Sequence, residues 1–237
     1  MRAILLAAGL GTRLRPVTDT IPKCLVPING KPLLGYWLDS LANASITSIL
    51  INLHYHADQV RRLIEKRPDR DRITLVFEKE LLGTAGTIRA NAQFCKDEPI
   101  MAIHADNFCT SDLSEFISAH ENRPLRTDIT MMTFRTDSPE ACGIVQINDL
   151  GVVTAFHEKV TDPPGNLANG AVYIFESSVL NWIQSQDALF LDISETVLPH
   201  FNGRIFTWPA NGVHIDVGTP SSLNKAREYG KLELSPN

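Results

Sequence analysis

Between Ala3 and Lys23 this chain sets an apolar run, two glycines and two cations in an order that leaves few folds open. Nothing polar interrupts Ala3 to Ala8, so the run reads as a strand buried on both faces. Gly9 and Gly11 follow at once. Without side chains they let the strand turn and aim backbone N–H groups at a ligand. Arg13 and Lys23 then bring positive charge to the same neighbourhood. Exposed amides beside an arginine and a lysine form a site for a polyphosphate. That points to a nucleotide and to phosphorus chemistry.

Two familiar phosphate loops do not fit. A dinucleotide-binding turn asks for G-x-G-x-x-G after the first strand, and Leu14 stands where the third glycine belongs. A Walker loop asks for G-x-x-x-x-G-K-[ST], and Gly30-Lys31 is followed by Pro32. The pattern G-x-G-T-R-L-x-P-x-T…P-K does fit, position by position, at Gly9, Gly11, Thr12, Arg13, Leu14, Pro16, Thr18, Pro22 and Lys23. On these residues the chain resembles the sugar-1-phosphate nucleotidylyltransferases, or NDP-sugar pyrophosphorylases. Taken without the resemblance, the same residues also read as a glycine turn flanked by surface cations.

Composition narrows the class. With 237 residues, 43% of them hydrophobic, the chain can bury one sizeable core. A single α/β domain spanning 1–237 is expected, with a nucleotide-binding part over about 1–125 and a sugar-binding, sheet-completing part over about 126–237. Net charge is −5 and no basic stripe appears, which argues against nucleic acid as a partner. Cys24, Cys95, Cys109 and Cys142 show no C-x-x-C spacing and read as reduced thiols of a cytoplasmic protein. The apolar start breaks at Gly9 and meets Arg13 and Arg15, so it is not read as a signal peptide. No apolar run approaches the roughly 20 residues of a membrane span. A monomer or small homo-oligomer without membrane contact is expected.

Strand and helix signals alternate through the first half: strands over Ser48–Leu53, Ile73–Phe77 and Pro99–Ala105, helices after Pro32, over Ala57–Lys66, and from Gly83 to about Phe94. Such alternation predicts a Rossmann-like, mostly parallel sheet with helices on both faces. In the second half strand-like runs crowd together at Ile129–Arg135, Gly143–Asn148, Val152–Glu158 and Ala171–Phe175, with a turn at Asn148–Gly151. They read as part sheet completion and part small β-rich substrate-binding lobe, which the resemblance implies binds sugar. Helices follow near Ser178–Gln184 and Ile193–His200, then a strand, Val213–Val217, and a helix capped by Thr219.

Two aspartates follow apolar strands: Asp106 after Ile100–Ile103, and Asp216 after Val213–Ile215. Ligands of open parallel sheets sit at strand carboxyl ends, where a carboxylate can hold Mg²⁺ against phosphate oxygens. Asp106 reads equally as a helix-capping loop residue. Asp216-Val217-Gly218-Thr219-Pro220 resembles the family's closing D-x-G-T-P. His104 and His214, each two residues earlier, share a strand face with these aspartates. Leu82-Gly83-Thr84-Ala85-Gly86 opens a helix whose free amides can read base edges, or is an ordinary glycine-rich helix start. Glu158-Lys159 at a strand end reads on its own as a surface ion pair.

The resemblance assigns these residues parts. It implies that an NTP and a sugar 1-phosphate give an NDP-sugar and pyrophosphate, with Mg²⁺ as cofactor on Asp106 and Asp216. Leu6, Ala8, Gly9, Gly11, Thr12, Arg13, Lys23, Glu78, Gly83 and Thr84 would surround the nucleotide, and Arg13, Lys23 and Asp106 would carry the catalysis. Asp106, Gly143, Glu158, Lys159 and Asn169 would meet the sugar phosphate. The L-G-T-A-G segment and Pro163–Leu167 look most like the mannose-1-phosphate guanylyltransferases. GTP is therefore expected, with mannose 1-phosphate or a manno-heptose 1-phosphate. Alternatives are a uridylyl-, thymidylyl- or cytidylyltransferase of the same family, or a non-catalytic NDP-sugar-binding regulatory subunit.

Overall fold

The computed structural model describes residues 1–96 and 98–233, so the last four residues of the expected 1–237 domain lie outside the described residues. Its strands are β1 (Arg2–Leu6), β2 (Pro27–Ile28), β3 (Lys31–Pro32), β4 (Ser48–Leu53), β5 (Ile73–Phe77), β6 (Ile100–His104), β7 (Asn107–Cys109), β8 (Ile129–Arg135), β9 (Gly143–Ile147), β10 (Val153–Glu158), β11 (Leu167–Phe175), β12 (Ile205–Pro209) and β13 (His214–Asp216). The helices are α1 (Leu33–Asn43), α2 (Ala57–Glu65), α3 (Thr84–Ala90), α4 (Ala92–Cys95), α5 (Leu113–Glu121), α6 (Ser177–Gln184), α7 (Leu198–His200) and α8 (Pro220–Glu233). The fold is α/β and Rossmann-like, on a mixed central sheet. Its residues cluster into two compact units, each drawn from three stretches of chain. Residues 82–103 group with 114–210, and those from Asn211 onward group with Leu5–Leu81, so neither unit coincides with a stretch divided near residue 125.

The first unit holds Met1–Ile4, Leu82–Ile103 and Ser114–Ala210. Its hub is β11, antiparallel to β6 through Val172 and Ile103, to β8 through Phe175 and Ile129, and to β9 through Ala168 and Ile144. Met101, Ile129, Met131, Ile174 and Phe175 are fully buried there. β9 and β10 form the expected hairpin, closed where Gly151 N–H donates to the Asn148 carbonyl at 2.9 Å. β12, unexpected from the sequence, lies parallel to β8. The helix expected to run to Phe94 breaks at Asn91 into α3 and α4. Asn91 Nδ2 donates to the Thr87 carbonyl at 2.8 Å, a local bond that competes with helix continuation.

The second unit holds Leu5–Leu81, His104–Leu113 and the described residues from Asn211 onward. β4 and β5 pair in parallel, as their alternation with helices predicts. The apolar face of α1 buries Leu34, Trp37, Leu38 and Leu41. A separate apolar cluster gathers Leu14, Val26, Ile28, Leu33, Phe108, Ile215, Val217, Leu223 and Ala226. It fixes the loop after β1 to the β7–β13 ribbon and to α8. Thr219 caps α8 as expected, its Oγ1 accepting from Ser222 N–H at 3.2 Å. Among the described residues no helix is long and apolar enough to cross a membrane.

Candidate active site

In the second unit Leu6 and Ala8 are buried as β1 ends, while Gly9 and Leu10 emerge exposed. Gly11 adopts φ +63°, and a Cβ there would meet Thr18 Cγ2 at 2.9 Å and Lys23 Cβ at 3.1 Å. Only glycine tolerates both the backbone and the approach. Thr18 Oγ1 donates to the Gly11 carbonyl at 2.7 Å. The short turn Thr12–Leu14 then buries Leu14 and leaves Thr12 and Arg13 exposed. The loop thus keeps its apolar residue inward and its guanidinium outward.

Lys23 is the centre of this unit's charge. Its ammonium donates to Asp106 Oδ2 at 2.6 Å and lies 3.7 Å from Asp216 Oδ1. The β7–β13 ribbon arranges this, because Asp216 sits opposite Asn107, the neighbour of Asp106. Trp37 Nε1 holds the Asn107 carbonyl at 2.8 Å. Burial alone would raise the Asp106 carboxyl, but the charges of Lys23 and His104 and the Lys23 hydrogen bond outweigh it and hold it below the usual carboxylate range. Arg13 reaches the same place: a Cβ on Gly218 would meet Arg13 Nη2 at 3.0 Å and Asp216 Oδ1 at 3.2 Å. The absent side chain at 218 is what gives the guanidinium its seat. Nearby Cys24 is buried, and burial with the Asp106 charge pushes its thiol up to about 12, so it is no nucleophile at neutral pH.

Glu78, expected near the nucleotide, lies next to the end of β1 through Asn52. It is buried, and its Oε1 accepts from Asn52 Nδ2 at 3.0 Å. Asn52 Oδ1 in turn accepts the Ala7 N–H at 2.7 Å. Glu78 therefore steadies the exit of β1 from within. The sequence signal for this was Asn52 itself, a polar residue inside the apolar run Ile49–Leu53.

In the first unit Glu158 and Gly143 are register partners across β10 and β9. A Cβ on Gly143 would stand 2.6 Å from Glu158 Oε2 and 2.6 Å from Phe156 Cζ. Lys159 follows with φ +48°, rare for a residue with a side chain. Its ammonium pairs with Glu158 Oε1 at 2.8 Å. Asn169 Nδ2 donates to the Tyr173 hydroxyl at 2.7 Å, and Asn169 Oδ1 accepts from Ala171 N–H across the irregularity in β11. Tyr173 is fully buried, and burial raises its phenol despite bonds to Asn169 and Ser194. It remains a neutral hydroxyl.

Gly83 and Thr84 are locked from one side. Gly83 takes φ +81°, and a Cβ there would stand 2.4 Å from the Leu191 carbonyl oxygen. That carbonyl accepts both Ala85 N–H and Gly86 N–H at 2.9 Å, and Leu191 N–H donates to Leu82 O at 3.0 Å. Thr84 Oγ1 donates to Asp192 Oδ2 at 2.9 Å and accepts from Ile193 N–H at 2.7 Å. Of the helix-opening amides that the sequence offers to a base, those of Ala85 and Gly86 are spent on Leu191, and Thr87 N–H bonds back to Gly83 O. Thr84 N–H is the one first-turn amide without an acceptor among the described residues. No sequence pattern marks Leu191 and Asp192, which lie more than a hundred residues from Thr84 and carry no motif.

Among the described residues no three His, Cys, Asp or Glu side chains cluster as a metal cage. Two carboxylates converging on one ammonium are nonetheless hard, anionic oxygen donors. That set fits Mg²⁺, which keeps most of its positions for water and phosphate.

Comparison with known proteins agrees with this layout. The model of the nucleotidyl transferase family matches residues 2–230. A mannose-1-phosphate guanyltransferase of Emericella nidulans is 30% identical over 234 residues, 94% of this chain and 62% of its own length. Another, of Aspergillus oryzae, is 29% identical over 254 residues, all of this chain and 68% of its own length. The chain thus spans about two thirds of the length of the curated relatives it matches. Among solved structures, HddC from Yersinia pseudotuberculosis complexed with GMP-PN has a TM-score of 0.80 at 26% identity, over 97% of this chain and 99% of that one. UDP-glucose pyrophosphorylase complexed with UDP-glucose has a TM-score of 0.83 at 20% identity, over 98% of each chain, a likeness of fold.

Proposed function

Because the chain belongs to the nucleotidyl transferase family, we propose that it condenses GTP with mannose 1-phosphate, releasing pyrophosphate and forming GDP-mannose. The observation that carries the reading is the convergence of Lys23 and Arg13 with Asp106 and Asp216 behind a glycine turn. A phosphate oxygen of the sugar phosphate attacks the α-phosphorus in line; the new P–O bond forms as the bond to the β-phosphate oxygen breaks, and pyrophosphate leaves. The nucleophile is already an anion, so no covalent enzyme intermediate and no general base are needed. The enzyme's work is positioning and charge neutralisation.

Arg13, on its exposed turn, holds the β- and γ-phosphates. Lys23 gives its charge to the α-phosphate as negative charge shifts there. Asp106 and Asp216 would hold Mg²⁺, which when bound neutralises phosphate oxygens. Glu158 accepts from sugar hydroxyls, Asn169 adds a second polar contact, and Lys159 offsets the repulsion between two anionic reactants. Gly143 keeps the space in front of Glu158 clear. Guanine is supported by the names of the curated relatives and by the GMP-PN held by HddC. The free cysteines, three of them buried, suit a reducing compartment, the cytoplasm.

A pyrophosphate-release screen of five NTPs against a panel of sugar 1-phosphates tests this. GTP with mannose 1-phosphate is expected to give the highest kcat/KM. No release with any pair would refute the transferase reading, and a pyrimidine triphosphate in first place would refute only the base.

A further inference from the structure

Asp192 belongs to neither the phosphate-facing cluster nor the sugar-facing pair, yet both of its oxygens are committed. Oδ1 caps the turn of residues 193–197, accepting from Ser194 N–H at 2.8 Å and Glu195 N–H at 3.3 Å. Oδ2 accepts the Thr84 hydroxyl. That hydroxyl accepts from Ile193 N–H in return, so its rotamer is fixed from both directions. The capped turn is a π-type turn, a form enriched at functional sites. One residue on, Ser194 bonds the Tyr173 hydroxyl, which Asn169 also bonds.

We propose that Asp192 is a positioning residue for nucleotide recognition. Acting through Thr84 Oγ1, it aims the single first-turn amide left for a base, that of Thr84, and so sets the discrimination between bases. The inference rests on the reading of Gly83–Thr84 as the base-facing segment. Its physical basis is that Leu191 consumes the two following amides and Gly83 cannot shift without striking Leu191 O. The residue that carries this N–H is anchored in turn by its side chain, which Asp192 and Ile193 N–H hold. Arg13 and Lys23 belong to the other unit, so the phosphate-facing charges are intact when Asp192 is changed.

The test compares wild type with Asp192→Ala, Asp192→Asn, Thr84→Val and the Asp192→Ala/Thr84→Val double variant. For each, kcat and KM are measured with GTP, UTP, dTTP, CTP and ATP. Asp192→Asn keeps an oxygen for the Ser194 cap and replaces the acceptor facing Thr84 with a donor, which separates folding from positioning. It is expected to keep the thermal midpoint of wild type, yet to lower the kcat/KM ratio of the best base over the next by about 10-fold, the scale of one mis-set hydrogen bond. Most of that loss is expected in KM, with kcat within about 3-fold of wild type. The double variant should lose no more than Thr84→Val alone, because both act on one bond. A folded Asp192→Asn enzyme with wild-type base ratios overturns the proposal. So does additive loss in the double variant. Should wild type itself transfer no nucleotide, the function reading fails instead, and amide hydrogen exchange at Ala85 and Gly86 judges the clamp: faster exchange in Asp192→Ala supports it, and unchanged exchange overturns it.

Discussion

Lys23 supplies positive charge at a point where two carboxylates would otherwise face each other. Its side chain is 8% exposed and that of Asp106 28%, so removal of either leaves an imperfectly solvated charge. Lys23→Met is expected to lower kcat by about 10²–10³-fold and to cost about 1–3 kcal/mol of stability in urea denaturation. Arg13→Ala, on an exposed turn, should slow turnover and leave the urea midpoint unchanged. Asp106→Asn should also cost at least about 10²-fold in turnover. Its pH signature has a definite sign. The folded carboxyl titrates below its unfolded value, so its stabilisation is complete above the unfolded pKa of about 3.9 and is lost as pH falls through the folded value. Wild type should therefore lose stability more steeply than Asp106→Asn as pH drops below about 4, and acid titration of the urea midpoint checks it. Arg13, Lys23, Asp106 and Asp216 were all legible in the sequence, because each lies on a motif next to its own strand. Asp192 was not, and Asn52 stood out only as a polar residue in an apolar run, since the partners of both are set by long-range packing that no local pattern encodes.

At the level of elements, β4, β5 and β8 have the bounds their residues predict. Continuous apolar or alternating runs flanked by breakers define such strands without help. β12 was missed because Ile205–Pro209 ends in proline and depends on β8 for its pairing; β2 and β3, two residues each, carry too little pattern to read. The glycine that opens α3 invites a sharp test. Gly83→Ala places a methyl against the Leu191 carbonyl in a left-handed backbone, so it should destabilise by at least about 1–3 kcal/mol by thermal melting. Gly143→Ala has an ordinary backbone but meets Glu158 and Phe156. It should raise KM for the sugar phosphate about 10-fold or more and leave KM for the nucleotide near wild type, which steady-state kinetics resolve.

On the scale of the whole molecule, each compact unit is stitched from separate stretches of chain. Cutting the chain after Ala210 removes Ile215, Val217, Leu223 and Ala226 from the cluster that holds Leu14 and Phe108. It also removes Asp216 from Lys23. A 1–210 fragment should show rapid proteolysis across residues 5–81 in a limited-trypsin time course, where the full chain resists. A fragment as resistant as the full chain would show that this unit closes without its last segment.

The same interleaving carries a consequence for biosynthesis. Lys23 leaves the ribosome early and Asp216 late, and at about 5–20 residues per second roughly 10–40 s separate them. Through that interval the nascent chain shows Leu14, Val26, Ile28 and Leu33 with none of the β13 and α8 residues that cover them in the finished fold. This stretch is the natural point of engagement for a holding chaperone, and Lys23 meets Asp216 only after the intervening residues have been made.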